Sequence, residues 1–217
     1  MYEQLGQRSS HFSRLRVVMR DRYDGQMGTL AVTGDHDADQ LLIDDPFALL
    51  LAMMLDQQVP MEWAFKSPLR LKERIPDDFS AERLAVLDPE KAEAAFKEKP
   101  ALHRFPGSMA KRAQDLARHI VDHYDGDAAR VWTEASTGQD LLKRLKALPG
   151  YGDEKAKIFL AVLAKRFDVK LDGWEAAASP FSDPTPRTVA DIDSPEALAE
   201  VRAWKKAQKA KGKTKQD

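Results

Sequence analysis

Apolar positions recur at three- and four-residue spacing along most of the chain, the pattern of helices with one buried face. The densest run covers residues 46–55. Asp45-Pro46 reads as an N-cap followed by a proline at the first helical position. Phe47, Leu50, Leu51, Met54 and Leu55 follow, with further apolar residues between them, until Asp56-Gln57-Gln58 breaks the run. A helix that is apolar nearly all round belongs in the middle of a core. Val59-Pro60-Met61 reads as a turn into a second helix carrying Trp63 and Phe65. Prolines 68, 76, 89, 100 and 106 divide residues 66–106 into short helices and turns. Ser108 is placed to cap the next helix, whose stripe is Ala113, Leu116, Ala117, Ile120, Val121 and Tyr124, with Gly126 as its stop. A short helix near 128–134 precedes two longer ones. Leu141, Leu142 and Leu145 line the first; Ala156, Phe159, Leu160, Leu163 and Phe167 line the second. A short helix after Asp172, a Pro/Ser-rich loop over 179–187 and a terminal helix over 194–208 follow. One segment, Thr29 to Gly34, alternates as a short strand does. The expected fold class is all-α.

Composition narrows the class. The 217 residues suffice for one domain or two small ones, and 43% hydrophobic with 32% charged residues describes a globular chain. No apolar run approaches the roughly 20 residues of a membrane helix, and no secretory leader is evident. Cysteine is absent, which excludes disulfides, thiolate-bound zinc, an iron–sulfur cluster and thiol catalysis. A cytoplasmic protein is the expectation. The net charge of −1 hides an asymmetry: residues 202–217 carry Arg202 and six lysines against Asp217, +6 in all, which leaves −7 for the rest. An acidic body does not announce a nucleic-acid binder, although local patches matter more than the total. Residues 1–26, rich in Arg with Phe12, Leu15 and Met19 on one helical face, read as a flexible extension. The expected body is 27–208 and the expected disordered basic tail 209–217.

The chemistry concentrates at Leu148-Pro149-Gly150-Tyr151-Gly152, a tight turn between two Leu-rich helices over 139–167. Its glycines permit a sharp bend with positive φ and leave the backbone uncovered. The helix that follows offers unpaired amides and the positive end of its dipole, a site for an anion such as a DNA phosphate. An ordinary helix–turn–helix corner is the plainer reading of Pro-Gly-x-Gly alone. The full pattern resembles the helix-hairpin-helix (HhH-GPD) superfamily of base-excision DNA glycosylases, and within it an actinobacterial-type branch lacking the iron–sulfur cluster. The resemblance extends to the apolar helix ending at Gln57 and to the run Gly107-Ser108-Met109-Ala110-Lys111-Arg112-Ala113, in family order over roughly residues 40–175.

The resemblance implies a two-subdomain helical fold with duplex DNA as partner and hence a nucleoid-associated place; no cofactor, no metal and a monomer are the accompanying expectations. It places Glu154 where bifunctional members carry a lysine nucleophile, and Asp172 at the register of the catalytic aspartate. A carboxylate there stabilises the cationic sugar formed as a glycosidic bond breaks, and can take a proton from water. Without the register, Asp172 before Gly-Trp would read as a helix cap. Two departures stand out: Asp172 is followed by Gly-Trp where the family has Thr or Pro and then often His, and Asp153 and Glu154 compete with an anion at the helix start. The expected DNA contacts are Gln57 with Gln58 as its fallback, Lys111, Arg112, Leu148, Gly150, Tyr151, Gly152, Lys155 and Lys157. Gln57 would fill the gap left by an extruded base; a solvated helix end explains it equally well. Trp63 and Trp174 read as core before stacking platforms. His119 and His123 have metal-ligand spacing without a third ligand and read as surface histidines. A non-catalytic DNA-binding module and a helical protein-interaction domain remain open beside the glycosylase.

Overall fold

The computed structural model describes residues 28–75, 79–212 and residue 214. The leader expected over 1–26 lies outside them, as do residues 213 and 215–217 of the basic tail. The described residues form eleven α-helices and one 3-10 turn, with no strand: α1 (His36–Asp44), α2 (Pro46–Leu55), α3 (Met61–Arg74), α4 (Ala81–Val86), α5 (Pro89–Lys97), α6 (Pro106–Tyr124), α7 (Arg130–Thr133), α8 (Gly138–Ala147), α9 (Asp153–Arg166), α10 (Trp174–Ala178), the 3-10 turn (Val189–Asp191) and α11 (Pro195–Ala210). The all-α fold class holds.

Two lobes share one continuous core. In the first, α2 is the axis. Asp45 Oδ1 accepts the amides of Phe47 at 2.9 Å and Ala48 at 3.1 Å, and every residue from Phe47 to Leu55 is buried. Each fully buried large side chain contributes roughly 1.5–3 kcal/mol, so this helix binds α1, α3 and α6 around itself. Helices α4 and α5 lie against α6. In the second lobe α9 is the axis, buried from Ile158 through Ala164, with α8, α10 and the 3-10 turn packed on it and α11 docked on that turn.

The structure corrects four local expectations. Thr29 to Gly34 is irregular, not a strand. A lone segment has no neighbour to pair with; instead the Val32 and Thr33 amides donate to Asp39 Oδ1 at 3.2 and 3.0 Å, and Thr29 donates to the Arg166 carbonyl. Pro68 lies inside α3 instead of dividing it. Burial of Phe65, Pro68 and Leu71 carries the helix past the one backbone bond a proline forfeits. Ser108 does not cap α6: Phe105 holds the cap position, Pro106 begins the helix, and Ser108 Oγ bonds back to the Phe105 carbonyl at 3.2 Å. The left-handed stop of α6 also begins one residue early, at Asp125 with φ 52°, before Gly126.

Candidate nucleic-acid interface and active site

The turn between α8 and α9 forms as its sequence demands. Gly150 has φ 85°, a conformation that side chains rarely adopt, and a Cβ there would lie 2.7 Å from Met54 Cγ. The turn therefore rests directly on α2. Gly152 precedes α9 and has open space around the position of its absent Cβ. Leu148 and Tyr151 face inward. The Tyr151 hydroxyl donates to the Leu50 carbonyl at 2.8 Å, its ring meets Phe159 edge-on, and burial pushes its pKa well up. Of the turn residues expected to meet DNA, the backbone around Gly150–Gly152 is thus the part left to do so, while the Leu148 and Tyr151 side chains hold the turn in place.

The first turn of α9 is acidic, as the sequence warned. Lys146 Nζ and Lys157 Nζ bracket Asp153 at 2.8 and 3.2 Å, and their hydrogen bonds hold its carboxyl below the ordinary value. Lys157 therefore stands beside the first turn of α9, and Lys146 is a neighbour the sequence did not flag. Lys155 is turned the other way. Its ammonium donates to the carbonyls of Met53 at 2.6 Å, Met54 at 2.8 Å and Asp56 at 3.3 Å. A helix end leaves such carbonyls without intrahelical partners, and a cation suits the negative end of the dipole. This engages the group expected to meet a phosphate with the C-terminus of α2.

The same helix end carries Gln57. Its Nε2 donates to the Met54 carbonyl at 3.0 Å, its Oε1 accepts from Arg112 Nη1 at 3.0 Å, and its carbonyl accepts from His103 Nε2 at 2.8 Å. His103 is fully buried and was not found from the sequence, where a single histidine in Leu-His-Arg-Phe-Pro carries no spacing signal. Its Nδ1 accepts from the Phe105 amide at 3.1 Å. An amide can only donate, so the proton lies on Nε2 and the ring is neutral. Burial lowers its pKa; the bond to the Gln57 carbonyl opposes this, and Lys155, Arg104 and Arg112 reinforce it. Gln58 is exposed with φ 55°, and Lys111 is exposed on α6 beside Arg112. A cleft of about 420 Å³ opens at Gln57 and Gln58, lined also by Arg202 and Lys205 of α11.

Asp172 is positioned by the second lobe. Its carbonyl accepts from the Gly138 amide at 2.9 Å. A Cβ on Gly138 would sit 2.5 Å from Trp174 Cα, so the starts of α8 and α10 are pressed together. Gly173, with φ 74°, takes the cap position of α10, and no side chain caps that helix. The cap role that Asp172 would otherwise fill is not realised. Its carboxylate is exposed and, among the described residues, makes no hydrogen bond or ion pair. The structure thus gathers Gln57, Arg112, Lys155 and the hairpin turn at the end of α2, and fixes Asp172 separately through Gly138. Glu154 lies in the first turn of α9. Trp63 donates its indole N–H to the Ala101 carbonyl at 2.8 Å, and Trp174 packs partly buried against the core. His119 and His123 stack at 4.2 Å, and no group among the described residues has the makings of a metal site.

A family model described as HhH-GPD superfamily base excision DNA repair protein matches residues 51–216, a span that includes Gln57, the hairpin, Asp172 and α11. No curated protein and no solved structure matches the chain. No helix among the described residues is long and apolar enough to cross a membrane.

Proposed function

This chain belongs to the HhH-GPD superfamily of base excision DNA repair proteins, and from that premise we propose that it is a monofunctional DNA N-glycosylase. It grips duplex DNA through the α8–α9 turn and hydrolyses the N-glycosidic bond of a damaged or mispaired base. The target base leaves the stack to be reached. The C1′–N bond breaks with its electron pair leaving on the base, and positive charge develops on the sugar. The Asp172 carboxylate stabilises that charge and takes a proton from the water whose oxygen bonds to C1′. The products are a free base, which gains a proton, and an abasic sugar. Glu154 offers no amine, and Lys155 is committed to the end of α2, so no imine forms and the strand stays intact. One observation supports this reading: the Asp172 carboxylate faces solvent without a partner among the described residues, its backbone fixed through Gly138, at the position where the resemblance puts the family's acid.

The test is a panel of duplexes bearing uracil, alkylated purines, oxidised purines or mispaired adenine, followed by alkaline cleavage of abasic sites. Strand scission is expected with at least one substrate, none without alkali, and loss of turnover with retained binding in Asp172→Asn. A panel without scission sinks the catalytic reading. The Gln57 amide, tied to Met54 and Arg112, favours a second one: a non-catalytic DNA-binding or damage-sensing protein. That reading gives salt-sensitive duplex affinity and no released base.

A further inference from the structure

The lobe built on α2 and α3 carries a second open groove, of about 530 Å³, which sequence motifs did not mark. Glu62, Trp63, Lys66 and Arg70 line it from one stripe of α3, at the three- and four-residue spacing that puts side chains on one face. Lys99, just beyond α5, lines it as well. Glu62 also lines the cleft at Gln57 and Gln58, so the two depressions meet at that residue. The carboxylate at the junction is answered by Arg202 of α11, whose Nε lies 2.7 Å from it. Lys66 lies 3.5 Å from Asp35. Arg70 and Lys99 have no hydrogen bond or ion pair from their side chains among the described residues. Along the joined groove five cations (Lys66, Arg70, Lys99, Arg202 and Lys205) face two carboxylates (Asp56 and Glu62). This happens on a chain whose first 201 residues sum to −7. Cations gathered in one furrow of an acidic body concentrate the attractive field for a polyanion there.

We propose that this groove is a second phosphate track: it receives the sugar–phosphate backbone of the duplex flanking the Gln57 cleft, with Lys66, Arg70 and Lys99 contributed by the lobe that does not carry the hairpin. The proposal rests on the duplex-binding part of the reading above and adds to it a surface of known composition. Its contacts go to phosphates, so they position the duplex without reading sequence. Arg70 and Lys99 are the probes, because neither holds another described residue in place.

The experiment is fluorescence anisotropy of the full chain with a labelled undamaged duplex between 50 and 200 mM salt. Each phosphate contact contributes about 0.9 to the slope of log affinity against log salt. Arg70→Gln/Lys99→Gln is expected to lower that slope by about 1.8, which shrinks the affinity lost across this salt range by roughly 12-fold. Arg70→Lys/Lys99→Arg keeps the slope. Lys72→Gln/Lys91→Gln removes the same charge from residues that line neither depression and leaves the slope within about 0.3 of the parent, well under one phosphate contact. A groove variant that behaves as the parent does overturns the track and leaves duplex binding standing. Equal losses in the groove and control variants overturn it too, as an effect of net charge. Failure of the parent to bind duplex at low salt removes the underlying reading and the track together.

Discussion

Replacing Lys155 by Met keeps most of the side-chain stem and removes the ammonium. The structure then loses three donors to the carbonyls of Met53, Met54 and Asp56. A hydrogen bond from a charged group contributes about 1.5–3 kcal/mol, and a cation at a partly buried helix C-terminus up to about 2. These do not add in full, because one ammonium makes all of them and water reaches part of the site. A loss of about 2–3 kcal/mol follows, or on the order of 5–10 °C in Tm for a chain of this size. Urea denaturation followed by circular dichroism measures it. The same variant separates two roles for Lys155. A phosphate contact predicts an unchanged urea midpoint and a salt slope of DNA binding reduced by about 0.9. A strut beneath the hairpin predicts lost stability with that slope unchanged. A stability loss under about 0.5 kcal/mol, the range of an ordinary surface substitution, refutes the strut.

The hairpin glycines should part company. Gly150→Ala forces a side chain into φ 85° against Met54, and we expect a loss of about 2–3 kcal/mol in urea melts. Gly152→Ala meets nothing in the protein, so stability should stay within about 0.5 kcal/mol; duplex affinity should fall because the methyl stands where a phosphate approaches, and an unchanged Kd would remove that phosphate. His103 gives a pH signature. Its folded pKa is depressed while the unfolded ring titrates near 6.5, so the unfolded state binds the extra proton first. Stability should fall as pH drops from about 7.5 through 6.5 and toward the folded value. His119 shifts the same way through burial, so the parent is compared with His103→Gln. A variant that keeps the parent's full slope between pH 7.5 and 5 would assign the dependence elsewhere.

The helices were legible because their signals are local. Asp45-Pro46 caps α2 in the structure as it reads in the chain, and the Leu-Pro-Gly-x-Gly turn lies where its glycines require. The strand at 29–34 was not, because alternation in one segment says nothing about whether a second strand exists to pair with it. Pro68 misled because tertiary burial outweighs one missing backbone bond. Side-chain direction was the least legible. Lys155 reads as a basic residue beside a phosphate-binding turn, yet its target is three carbonyls about a hundred residues earlier. His103 has a partner 46 residues away and no motif. Such contacts depend on how lobes pack, which spacing along one helix does not encode.

These long-range contacts have a common origin. An all-apolar helix such as α2 cannot satisfy its own last carbonyls, and the residues that break it, Asp56-Gln57-Gln58, must leave the core abruptly. Partners come from three other places: Lys155 of α9 donates to the carbonyls of Met53, Met54 and Asp56, His103 ahead of α6 to the Gln57 carbonyl, and Arg112 on α6 to the Gln57 side chain. Each belongs to, or adjoins, an element that carries a candidate DNA contact. The hairpin, Gln57 and the α6 cations are therefore set relative to one another by the same bonds that finish α2. Substitutions at this junction will change stability and binding together, so loss of activity there does not identify chemistry. Asp172 lies outside it, fixed through Gly138 by a backbone bond that Asp172→Asn leaves intact. That separation lets Asp172→Asn test the proposed reaction while the bonds at the end of α2 stay intact.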